Sequence, residues 1–196
     1  MTKQSKVSIP LILASASPRR RELLSLFDID FDVEPADIDE SIAAGERPDA
    51  YVLRMAREKA LAVHPRFEHC FVLGSDTAVV LDGECLGKPG DDDEARAMLE
   101  RLSGREHTVL SAVALVAPDG GVGERLSVTR VDMAPMTDEW IAGYVASGEP
   151  HDKAGAYGIQ GAAGIWVRAL SGSYTSVVGL PLFETGELLR GVGLHG

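Results

Sequence analysis

A chain of 196 residues, 45% hydrophobic and 25% charged, has room for one domain with a sizeable core, and residues 1–196 read as a single domain. Its formal net charge of −11 repels DNA and RNA, so a nucleic-acid polymer is excluded as a partner and any phosphate ligand must be small and gripped locally by a few cations. No apolar run approaches the roughly 18 residues of a membrane span, the N-terminus lacks a signal-peptide core, and two cysteines outside any CxxC pair supply neither a disulfide scaffold nor a thiolate zinc site; no membrane partner and a cytoplasmic setting are expected.

Residues 1–10, "MTKQSKVSIP", are expected to be a frayed extension. Residues 11–14 read as a short apolar strand. Ser17 then stands as a helix N-cap and Pro18 at the first helical position, with Leu23, Leu24 and Leu26 as the helix's apolar residues. Arg19, Arg20 and Arg21 fall in the first turn, at the positive end of the helix dipole, where carboxylates usually belong. An anion docked on this strand-to-helix turn would remove the conflict, because free N–H groups and guanidinium forks both suit phosphate oxygens. The alternative is three solvated side chains.

Next come "FDVEPADIDES", a strand and an acidic loop with Asp37, Asp39 and Glu40, and a helix over 48–64 with an apolar stripe of Val52, Met55, Ala56, Ala60 and Val63. Lys59 lies on that stripe, so either its stem snorkels to water or its ammonium meets an anion in a cleft. In "FVLGSDTAVVL" Asp76 interrupts a buried strand; it must find a donor, a cation or a metal, or be neutral, whether for function or in a structural network. The strand runs on to an Asp82-Gly83 hairpin turn. Lys88, between Gly87 and Pro89, suits either a lysine aimed at a ligand or an ordinary turn. It is not part of a Walker loop: the glycine spacing is one residue short, and Pro89 replaces the required Ser or Thr.

"DDDEARAMLERLSG" is a helix with Ala95, Met98, Leu99 and Leu102 on its apolar face and Gly104 as its stop. Two strands, "HTVLSAVALVA" and "ERLSVTRVDM", flank the turn "PDGG", and Thr137 caps a helix carrying Trp140, Ile141 and Tyr144. The glycine-rich "DKAGAYGIQGAAG" reads as a loop in which Gln160 can offer a donor and an acceptor side by side to a base edge, or simply to water. A last helix spans 181–190. The terminal "GVGLHG" satisfies GxGxxG with no helix after it and is a false match. His64 and His69 are expected on the surface at a helix end. Strands and helices in this order predict an α/β (mixed α+β) fold, not a purely parallel one.

Together, "LASASPRRRELL", "DIDES", "YVLRMAREKA", "VLGSDTAVVLDGECLGKP", "LSGREHTVLSAVAL" and "YVASGEPHDKAGAYGIQGAAGIWVRALSGSYTSVVGLPL" run in the order of the Maf family of nucleoside triphosphate pyrophosphatases, which the chain resembles over nearly its whole length. Gly-Ser-Asp-Thr at 74–77 replaces the commoner Gly-Ala-Asp-Thr. The "DKAGAYGIQG" form resembles the branch acting on dTTP and UTP; alternatives are the 7-methyl-GTP branch and a nucleotide-sensing regulator of septum formation without turnover. The resemblance implies an extended mixed sheet with flanking helices around a deep cleft, as in inosine triphosphate pyrophosphatases. It also implies a homodimer, a divalent cation (Mg²⁺ or Mn²⁺), and cleavage of a nucleoside triphosphate to the monophosphate and pyrophosphate. By the same resemblance Asp76 is the proton acceptor; Arg19, Thr77 and Gln160 influence substrate choice; and Ser15, Arg20, Glu40, Lys59 and Lys88 are further cleft residues. Glu40 and Asp76 are the expected metal ligands, and Arg21 is expected to be solvated.

Overall fold

The computed structural model describes residues 11–195, so the segment expected to fray lies outside the described residues. In chain order the elements are β1 (Leu11–Leu13), α1 (Pro18–Ser25), β2 (Phe31–Val33), α2 (Pro48–Val63), β3 (Phe71–Leu81), β4 (Glu84–Leu86), α3 (Asp92–Leu102), β5 (Glu106–Val116), β6 (Val122–Met133), α4 (Asp138–Ala146), β7 (Val167–Ser171), α5 (Tyr174–Val178) and α6 (Leu182–Gly191). The strands form one sheet in the order β2-β1-β3-β5-β6-β7, with β4 also paired to β3. β1 pairs in parallel with β2 and β3, and every other pairing is antiparallel. This is the mixed sheet that the order of elements predicts.

Local chemistry explains most boundaries. Ser17 Oγ accepts the Arg20 N–H at 3.4 Å, and Asp91 Oδ1 accepts the Glu94 N–H at 2.8 Å, each satisfying a helix-start donor. The Asp82-Gly83 turn has both residues at positive φ, 53° and 85°, as a two-residue hairpin with right-handed strand twist requires. Three expectations need correcting. α1 ends at Ser25, so Leu26 falls past the last turn and is 70% exposed. α2 ends at Val63 and a 3₁₀ turn over His64–Arg66 takes over around Pro65, which leaves His64 half-buried instead of on the surface. The last helix begins at Leu182, with Pro181 as its cap. β7 and α5 are additions that no periodicity announced.

Successive residues of β3 point to opposite faces. Phe71, Leu73, Val79 and Leu81 pack against α1 and α6 at one end and α3 and α4 at the other, while Val72 and Ala78 face α2. α2 lies directly on β3 because position 74 is glycine: a Cβ there would sit 2.1 Å from the Ala56 carbonyl oxygen and 2.9 Å from the Ala60 nitrogen. The whole expected stripe of α2 is buried, Lys59 included. Among the described residues no helix is long and apolar enough to cross a membrane.

One consequence of the pairing positions the functional site. β5 covers one edge of β3 over Val72 to Val80. On the other edge, β1 pairs only with Phe71 to Leu73 and β4 only with Val79 to Leu81. Residues 74–78 therefore line a gap in the sheet, with Asp76 and Thr77 at its centre.

Candidate active site

The gap opens into a cleft of about 860 Å³, within the size range of small-molecule sites. The turn leaving β1 and the start of α1 form one wall, the β4 hairpin and Lys88 another, and residues 149–161 the rim; Ser15, Arg19, Arg20, Glu40, Lys59, Asp76, Thr77, Lys88 and Gln160 all line it. All nine residues singled out from the sequence thus meet in one cavity.

On its floor, Lys59 Nζ donates to Asp76 Oδ1 at 2.7 Å and lies 3.1 Å from Glu40 Oε1. Lys59 and Asp76 are buried and the Glu40 side chain is half exposed. Lys59 does not snorkel, because the helix stripe carries it over the strand where Asp76 stands. Two carboxylates around one ammonium leave a net negative charge, and Asp76 Oδ2 accepts no hydrogen bond among the described residues. That donor set fits a hard divalent cation, which takes one or two protein carboxylates and completes its shell with phosphate oxygens and water. Among the described residues no three His, Cys, Asp or Glu side chains cluster as a ready-made cage, so Glu40 and Asp76 would supply only part of the shell. The loop bearing Glu40 is tied to α2: Tyr51 Oη donates to the Glu40 carbonyl at 3.0 Å, and Arg54 donates to the Ser41 carbonyl at 2.9 Å and to both oxygens of Glu46. The Arg54 bond holds the Glu46 carboxyl down at about 2.

Arg20 stands on the opposite side of β3. Its Nε donates to the Gly179 carbonyl at 2.9 Å, Nη1 to Ser15 Oγ at 3.3 Å and Nη2 to Thr77 Oγ1 at 3.5 Å. Ser111 gives its one hydroxyl hydrogen to the Ser176 carbonyl at 2.7 Å, so Thr77 donates to Ser111 and keeps a lone pair for Arg20. Every acceptor that Arg20 meets is neutral. Burial lowers its pKa, and the nearby Asp76 and Glu40 charges offset part of that. An arginine oriented by three neutral groups keeps its charge available for an anion. Arg19, by contrast, reaches across the mouth of the cleft to Asp152 Oδ2 at 3.2 Å, and Arg21 is exposed.

Lys88 is exposed on the hairpin wall and meets no carboxylate among the described residues. Gln160 is exposed on the rim, in a turn closed by the Gly161 N–H on the Gly158 carbonyl at 3.0 Å. Sequence reasoning missed the rim residues Glu149, Asp152 and Lys153: the first two sit in a 3₁₀ turn over Glu149–Asp152, and Lys153 links it to a second over Ala154–Ala156. Such turns have no apolar period; the only available signal was a run of charges beside glycines. Tyr157 in the same wall donates to or accepts from His107 Nε2 at 2.8 Å.

Residues 10–192 match the family model described as Maf-like protein. The chain is 54% identical over 185 residues to a dTTP/UTP pyrophosphatase of Myxococcus xanthus, covering 94% of this chain and 93% of that one. It is 46% identical over 201 residues to a dTTP/UTP pyrophosphatase of Colwellia psychrerythraea, covering 100% and 94% respectively. Among solved structures, a nucleoside-triphosphatase / dITP/XTP pyrophosphatase from Mycobacterium abscessus aligns with TM-score 0.45 and 16% identity over 93% of this chain and 94% of that one.

Proposed function

This chain belongs to the Maf-like protein family, and from that premise we propose that it is a nucleoside triphosphate pyrophosphatase that cleaves dTTP and UTP to the monophosphate and pyrophosphate. The observation that carries the reading is the buried Lys59–Asp76 pair with Glu40, opening into a cleft whose far side holds Arg20 on neutral partners. Full-length relatives named dTTP/UTP pyrophosphatase support the substrate class.

In this reading the triphosphate lies along the gap in the sheet. Arg20, with Lys88 and with Arg19 once it leaves Asp152, neutralises the phosphates and the charge that develops on the departing pyrophosphate. Lys59 holds Asp76 in position, and Asp76 accepts the proton of the attacking water through its free Oδ2 as the new oxygen–phosphorus bond forms at the α-phosphate and the bond to the bridging oxygen breaks. A divalent cation, Mg²⁺ or Mn²⁺, held by Glu40 and Asp76, would supply charge neutralisation at the phosphates and a more acidic water. Gln160 pairs with the O4 and N3–H edge that uracil and thymine share. A homodimer and a cytoplasmic setting complete the proposal, on the family resemblance.

The test is pyrophosphate release from a panel of nucleoside triphosphates with Mg²⁺ or Mn²⁺, for wild type and Asp76→Asn. dTTP and UTP are expected to lead the panel, and Asp76→Asn to lose turnover by roughly 10²–10⁴-fold with its fold intact. Binding without release in the wild type would make the protein a sensor, and preferred cleavage of 7-methyl-GTP would move it to the sister branch.

A further inference from the structure

We infer that Ser111, fully buried behind the cleft, is a positioning residue for Arg20: by taking the hydroxyl hydrogen of Thr77 it holds Thr77 as an acceptor, and so holds the guanidinium in the pose from which it meets phosphate. This rests on the reading that Arg20 grips the triphosphate.

Thr77 on β3 and Ser111 on β5 stand opposite one another in the antiparallel pairing, so their side chains share a face of the sheet and their hydroxyls meet at 2.8 Å. Which of the two donates is settled one bond further back. Ser111 Oγ has a second partner, the Ser176 carbonyl on α5 at 2.7 Å, and a carbonyl can only accept. With its single hydrogen spent there, Ser111 can only accept from Thr77. Thr77, its own hydrogen spent on Ser111, turns a lone pair to Arg20 Nη2 at 3.5 Å. The end of α5 fixes the guanidinium from the other side, where the carbonyl of Gly179, the residue that caps the helix, accepts Arg20 Nε at 2.9 Å. The hydrogen bonds thus leave α5 at Ser176, pass through Ser111, Thr77 and Arg20, and return to its cap at Gly179.

Without the Ser111 hydroxyl, the Thr77 hydrogen needs a new acceptor. The other one in reach is the Gly179 carbonyl, 3.4 Å from Thr77 Oγ1, which already takes Arg20 Nε and the Ser75 hydroxyl at 3.3 Å. A carbonyl has two lone pairs, so Thr77 gains that bond at the expense of the donors already there. A hydrogen turned toward the cleft instead faces the guanidinium, donor against donor. On either course Arg20 loses a partner that its buried charge requires, and its pose is no longer fixed. A hydroxyl suits this task where a carboxylate would not, because a charged partner would cancel the positive charge that phosphate needs.

The test is calorimetric titration of pyrophosphate, with Mg²⁺ present, into wild type, Arg20→Met, Thr77→Val, Ser111→Ala and the double variant Thr77→Val/Ser111→Ala. Arg20→Met is expected to weaken binding by roughly tenfold or more, and Ser111→Ala and Thr77→Val by roughly three- to tenfold each, as the loss of a charged and of a modest hydrogen bond allows. Because Ser111 acts through Thr77, the double variant is expected to bind no more weakly than Thr77→Val alone, whereas a merely structural Ser111 would add its own loss. Ser111→Cys, whose thiol is a weak donor and a weak acceptor, is expected to fall between wild type and Ser111→Ala, and it decides the matter should Ser111→Ala fail to fold. Unchanged or tighter binding after loss of the Ser111 hydroxyl, or additive losses in the double variant, overturns the inference. Binding by Arg20→Met as tight as that of wild type, or a wild type with no affinity for pyrophosphate, would instead overturn the underlying reading of Arg20.

Discussion

On the floor of the cleft each ionic side chain stands on a helix or strand, or on a loop tied to one: Lys59 on α2, Asp76 on β3, and Glu40 on a loop bonded to α2 through Tyr51 and Arg54. Along the rim, residues 149–161 run through short 3₁₀ turns, and their order depends on side-chain partners such as Glu149, Tyr144 and Lys153. On the proposed reading, the difference follows from what each part does. Proton transfer and charge neutralisation tolerate little misplacement, which suits rigid elements, whereas a base-reading segment can be retuned by changing the supports of a loop. The two regions should therefore respond differently to perturbation, the floor through global stability and the rim through substrate binding.

The largest effect is expected at the contact that builds the floor. In Gly74→Ala the new Cβ would meet the Ala56 carbonyl at 2.1 Å, so α2 must lift from β3, at a cost of roughly 3–4 kcal/mol of stability. Urea unfolding measures the loss, and the surviving folded fraction should lose turnover because Lys59 no longer lies over Asp76. A stable, active Gly74→Ala would show that the floor is as adaptable as the rim.

The same contrast explains what could be read in the sequence. Lys59 was conspicuous because a helical period fixes which residues face inward, and Asp76 because a strand of apolar residues makes one carboxylate an exception. The arginines at 19–21 stood out against the helix dipole, and the sheet's mixed character followed from hairpins next to helical crossovers. Tertiary contacts carried no such signal: that Lys59 pairs with Asp76 and Glu40, or that Arg20 meets Gly179, depends on segments distant in sequence. β7, a short strand exposed at most of its residues, has no alternation to reveal it, and Glu149 and Asp152 were simply charges in a glycine-rich stretch. Leu26 misled because apolar spacing continued one residue beyond the helix that gave it meaning.

An intermediate effect is expected where the rim is anchored to the sheet. His107, on β5, is bonded to Tyr157, and burial lowers its pKa from 6.5 to about 4. Between those values the unfolded chain binds the proton and the folded one does not, so this histidine's contribution to stability is greatest above pH 6.5 and declines as pH falls toward 4, by up to about 3 kcal/mol. Urea midpoints across that range should fall more steeply for wild type than for His107→Gln, which lacks the titrating group. Parallel slopes for the two proteins would mean that His107 protonates without disturbing its seat, leaving the rim anchored more loosely than its hydrogen bond implies.

The smallest effect is expected where the two regions touch. Arg19 and Asp152 meet across the mouth of the cleft at 3.2 Å, with side chains 33% and 64% exposed. A pair this open to solvent contributes at most about 1 kcal/mol, so Asp152→Ala should hardly change thermal stability. Its effect belongs in binding. A triphosphate that recruits Arg19 must first displace Asp152, and without that competitor KM should fall by roughly two- to threefold with kcat unchanged, a gain that high salt erases because the interaction is exposed. If KM rises instead, Asp152 is not a competitor: it holds Arg19 extended over the cleft ready for phosphate, and the rim takes part in charge placement as well as base choice.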